Sequence, residues 1–114
     1  MRRPNSLALS IGARKDAHGG PRWSPVLILA AGALVNLGVA LAVRGNPQKA
    51  VKVLQQAVHV DPRFADARYN LGFALLQVGR SDEATEGFRA ALAIDPDHAA
   101  AREALSAATN RGRR

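Results

Sequence analysis

Cysteine is absent from the 114 residues, and the aromatic side chains amount to one Trp, one Tyr and three Phe. Without cysteine there is no disulfide framework and no thiolate metal site, although the compartment stays open. The few aromatics do not interleave with the arginines, so the stacking platform of a single-strand nucleic-acid reader is missing. No glycine loop runs into Lys-Ser/Thr to cradle a phosphate, and no paired-histidine metal helix occurs. Ser81 and Ser106 fall on helices or caps with no nucleophile elbow around them. His59 with Asp61, and His98 with Asp97, are isolated pairs without the second cluster that a metal needs, and read as solvated turn residues. The chain therefore reads as a non-enzyme that takes no cofactor and no metal.

Charge excludes a further class once it is divided. The formal net charge is +7, but residues 1–23 carry five Arg/Lys against one Asp, and residues 110–114 add three Arg. Between them, residues 24–109 hold eight basic and eight acidic side chains. A nucleic-acid reader shows its basic stripe on folded elements, so nucleic acid is not an expected partner.

What the chain does contain is a repeat. Residues 31–64 laid on 65–98, a shift of 34, are identical without a gap at twelve positions, among them Asn36/Asn70, Leu37/Leu71, Gly38/Gly72, Gly45/Gly79, Ala50/Ala84 and Asp61-Pro62/Asp95-Pro96. A period of this size marks supersecondary units that stack on a continuous core, which predicts an all-α solenoid of antiparallel helix pairs. Ser24-Pro25 reads as a helix start, and Arg44-Gly45-Asn46-Pro47 as a stop followed by a cap. The next helix places Ala50, Val53, Leu54, Ala57 and Val58 at three-and-four spacing, and Asp61-Pro62 closes it. Unit 2 repeats the plan, with Gly79 just past its first helix, Ser81 or Asp82 as the following cap, and Phe88 where Leu54 stood. The recurring mid-helix Gly implies close helix approach, since Gly there costs about 1 kcal/mol against Ala. Leu54 and Phe88 are expected to fill the space between units. The expected organisation is a basic, mostly disordered segment over 1–24, unit 1 over 25–64 with its register at 31–64, unit 2 over 65–98, a capping helix over 99–109 and a basic tail over 110–114.

Tyr69-Asn70-Leu71-Gly72, then Gly79, Ala84, Phe88, Ala91 and Asp95-Pro96, strongly resemble the tetratricopeptide repeat family, over about 80 residues at the family's period of roughly 34. Leu34 and Arg68 stand where that family commonly has Trp or another bulky residue. The resemblance implies helix pairs stacked into a right-handed superhelix whose first helices line a concave groove for a peptide or helix of a partner protein. It places Val35, Asn36 and Val39 of unit 1, and Asp66, Tyr69, Asn70, Phe73 and Gln77 of unit 2, along that groove. Asn36 and Asn70 offer amide donors and an acceptor suited to an extended backbone; the competing reading has each bonded to a neighbouring helix. Likewise Tyr69 and Phe73 either anchor a partner's side chain or pack on the next unit. Two repeats fall below the usual three or so, which suggests self-association through open repeat edges or truncation from a longer array.

Residues 25–43 leave two readings open. The segment has no charge in 19 residues, would span about 28 Å as a helix, and lies between Arg22 and Arg44, so a membrane anchor or a signal sequence fits it. Its identities with unit 2 favour instead a repeat helix of a cytoplasmic protein. Membrane-anchored or exported is the alternative localisation; Trp23 would then anchor the helix at the membrane surface, whereas in the repeat-helix reading it covers an apolar edge.

Overall fold

The computed structural model of the protein describes residues 25–112, and they form five α-helices: α1 Pro25–Val43, α2 Pro47–Val60, α3 Ala65–Gln77, α4 Ser81–Ile94 and α5 Ala99–Gly112. The expectations for residues 1–24, Trp23 included, and for Arg113 and Arg114 lie outside the described residues. Helix α5 runs on to Gly112, past the end expected at 109.

Each hairpin closes on a glycine. A Cβ built on Gly38 would stand 2.5 Å from Leu54 Cγ, and one on Gly72 would stand 2.7 Å from Phe88 Cε1 and 3.1 Å from the Ala84 carbonyl oxygen. Leu54 and Phe88 are the largest fully buried side chains. They lie across their own hairpins, onto these glycines, within one core shared by both units. Hairpin approach this close leaves room for a large side chain only where its partner position has none. Gly87 adds a contact with no counterpart in unit 1: its Cβ would be 3.4 Å from Gly72 Cα.

The turns repeat as faithfully as the helices. Gly45 and Gly79 take φ of +87° and +86°, a left-handed conformation that costs glycine little. Around them Asn46 N–H donates to the Leu41 carbonyl at 2.8 Å and Arg80 N–H to the Leu75 carbonyl at 2.9 Å, the long hydrogen bond that ends a helix on glycine. That closure fixes how the next helix begins. Asn46 is the N-cap of α2 but at ψ 63° makes no side-chain cap bond, and the N-cap of α4 is Arg80, with Ser81 already helical. The expected caps from Asn46 and from Ser81 or Asp82 are therefore not made. At α4 the Arg80 guanidinium grips Glu83 with bonds of 2.6 and 2.9 Å and pulls its carboxyl below the usual range, chiefly through that hydrogen bond.

Between units, Asp61 Oδ1 accepts the Arg63 N–H at 3.3 Å and Asp95 Oδ1 accepts the Asp97 N–H at 3.0 Å. Arg68 Nε donates to the Pro62 carbonyl at 3.0 Å, and Arg102 reaches the Pro96 carbonyl at 2.7 Å. The Arg at the position of the family's bulky residue thus ties the helix to the turn that delivers it.

Stacking buries one position of each first helix against the preceding unit. Ala67 and Ala101, equivalent by the repeat, are both 0% exposed. Their mate Ala33 is exposed, because no described helix precedes α1.

Candidate functional site

The first helices of the units bring most of the expected groove residues onto one face. On α3, Asp66, Asn70, Phe73 and Gln77 follow one another at three-and-four spacing, with Tyr69 beside them. Phe73 is 46% exposed although it is a large hydrophobe, and Val39, its mate on α1, is 38% exposed. Asn36, Asp66 and Gln77 are also exposed, whereas Tyr69 and Asn70 are half-buried.

Val35 does not belong with them. It is 7% exposed and sits in the core with Ala42, Leu54 and Ala67. Its place in the groove has to be withdrawn, because a valine at this turn of α1 points into the packed hairpin; Tyr69 at the equivalent position is itself half-buried and packs on the core.

A histidine that the sequence left in solvent joins the site instead. The His98 side chain is 11% exposed, and its Nε2 lies 2.7 Å from Asp66 Oδ1. Its Nδ1 accepts the Ala101 N–H at 3.1 Å, so the proton of a neutral imidazole sits on Nε2 and is donated to Asp66. The ring also lies against Tyr69, centroids 5.3 Å apart, and Tyr69 leans on Phe88 at 5.8 Å. His98 thereby caps α5, links α5 to α3 and stiffens Tyr69. Asp66 precedes it by 32 residues, at the opposite end of unit 2, so no local pattern announces the pair. His59, by contrast, is exposed as expected.

Asn70 is partly committed to its own helix. Its Nδ2 donates to the Asp66 carbonyl at 2.8 Å, which leaves its oxygen and one N–H for other partners. The face thus offers an apolar step at Val39 and Phe73, amide groups beside it, and an Asp-His pair at one end. Among the described residues no group of three or more His, Cys, Asp or Glu is arranged to hold a metal.

The family model for the tetratricopeptide repeat matches residues 41–108. This chain belongs to the tetratricopeptide repeat family. Among solved structures, one described as the crystal structure of MamA is similar with a TM-score of 0.70 and 29% identity, covering 73% of this chain and 48% of that one. The chain thus spans about half the length of that relative. No curated protein matches it. Tetratricopeptide repeats commonly mediate contact between proteins, and the all-α helical repeat described above has that fold.

Proposed function

We propose that this chain is a non-enzymatic interaction module that takes a peptide or helix of a partner protein along the face of α1 and α3. The observation that carries the reading is Phe73, an aromatic side chain left 46% exposed beside Asn70. Exposed aromatics of this kind supply most of the energy at small interfaces, with polar groups around them fixing orientation. Phe73 and Val39 would bury the partner's apolar side chain, and Asn36 with the free amide groups of Asn70 would bond its backbone. Asp66, Tyr69 and Gln77 would border the same track, with His98 holding Asp66 in place.

A peptide library displayed on phage and selected against the protein supplies ligands for this face, whatever the natural partner is. Peptides so selected should lose binding by about 2 kcal/mol or more to the Asn70→Ala, Phe73→Ala double variant, while its far-UV circular dichroism stays that of the parent. Selected peptides that bind the double variant equally well would remove this face as the site.

A further inference from the structure

The outer side of α1 is a second surface, separate from the groove and independent of what the groove binds. Val26, Leu29, Ala33, Leu37 and Ala40 recur at three-and-four spacing opposite the buried stripe of Ala31, Val35, Gly38 and Ala42. Val26 is 71%, Leu29 72% and Leu37 49% exposed. In unit 2 the mates of Ala33, Leu37 and Ala40 are covered: Ala67 and Ala74 are 0% exposed and Leu71 packs on the core.

Charge indicates what would cover this edge. From Pro25 to Val60 there is no Asp or Glu, and the charged side chains Arg44, Lys49 and Lys52 are all basic and exposed. Lys52 shares a shallow depression with Leu34, which stands one turn from Leu37 beside the stripe, so a cation of α2 flanks the apolar face. The segment before α1 adds five Arg/Lys against one Asp. By contrast unit 2, residues 65–98, carries six acidic side chains against three basic ones. A flat apolar helix face bordered by cations matches the acyl chains and phosphates of an anionic bilayer. A second copy meeting the same edge would bring like charges together.

The geometry points to α1 as an in-plane membrane-docking helix, with Val26, Leu29, Ala33, Leu37 and Ala40 toward the acyl chains and Arg44, Lys49 and Lys52 at the headgroup phosphates. Lying in the plane keeps the hairpin intact. Crossing the bilayer, which the length and composition of α1 would permit, would either strip Gly38 from Leu54 or drag the cationic face of α2 with it.

The test is flotation of the full chain with vesicles of phosphatidylcholine alone and of phosphatidylcholine with phosphatidylglycerol. The full chain should float with the anionic vesicles, bind them less in high salt, and be released at carbonate pH. The Leu29→Asp, Leu37→Asp variant, whose substitutions lie on exposed positions and leave the basic leader intact, should bind about tenfold more weakly or worse with unchanged circular dichroism. The Lys49→Glu, Lys52→Glu variant should weaken binding to anionic vesicles specifically. Failure of the full chain to bind anionic vesicles overturns the proposal, as does resistance to carbonate, which would mean a spanning helix. Unchanged binding by the Leu variant assigns attachment to the leader alone and overturns it too. So does a dimer in sedimentation velocity that the Leu variant dissociates while vesicle binding is nil.

Discussion

A methyl group on Gly72 has nowhere to go. It would press on the Phe88 ring at 2.7 Å and on the Ala84 carbonyl oxygen at 3.1 Å; the ring can tilt, but the carbonyl belongs to the α4 backbone. At Gly38 the three nearest obstacles are all atoms of the Leu54 side chain, which can change rotamer. Alanine is worth about 1 kcal/mol over glycine in a helix interior, while overpacking costs roughly 1–3 kcal/mol, so the two effects compete. Gly72→Ala should therefore lose up to about 2 kcal/mol net, and Gly38→Ala less, in urea denaturation. A larger loss at Gly38 would contradict the backbone contact as the deciding factor. Recurrence at one repeat position drew attention to both glycines from the sequence. Gly87 escaped notice because Val53 stands at its mate, and the closer approach it permits belongs to unit 2 alone.

Helix α5 shows how an element can depend on a contact that its own sequence does not advertise. Its first turn carries no acidic side chain, and its cap is His98, whose ring also bonds Asp66 on α3 and faces Tyr69. His98→Ala removes cap and bridge together and should cost about 1–2 kcal/mol, with faster amide exchange at Ala101. Asparagine is as good an N-cap as any residue, so His98→Asn should recover the protection of Ala101 but not the coupling of α5 to α3. Equal exchange at Ala101 in the parent and in His98→Ala would refute the capping role. The helix ends were foretold well where covalent geometry dictates them, by Pro47, by Asp61-Pro62 and Asp95-Pro96, and by Gly45 and Gly79. Caps were foretold poorly. Asn46 and Ser81 have the right chemistry, but the hydrogen bonds that close α1 and α3 set the backbone there, and the side chains are left aimed elsewhere.

In a stack, each helix is stabilised by its neighbours, and identical residues acquire different environments according to whether a neighbour is present. Ala33, Ala67 and Ala101 are the same residue at the same repeat position, yet the first is exposed and the others are wholly buried. The register could therefore foretell the units, their order and the shared core, whereas which copy of a position stays open, and so where the apolar edge lies, had to come from three dimensions. Val35 was misplaced because its backbone position faces the hairpin core, where its mate Tyr69 is also partly packed. Neighbour dependence also predicts a gradient of stability along the array. Helices α2, α3 and α4 pack on both sides and bury Leu54, Leu75 and Phe88 among others, while α1 buries only small residues and Val35 and leaves Leu34 and Leu41 half-buried, and Ala101 is the one fully buried side chain of α5 among the described residues. Native-state hydrogen exchange should accordingly give opening energies near the global value in α2 to α4, lower in α1 and lowest in α5. Anionic vesicles, if they cover the outer face of α1, should raise protection there and leave α5 unchanged. Uniform protection of all five helices would mean that the chain unfolds as one unit, and the nearest-neighbour account of its stability would have to be given up.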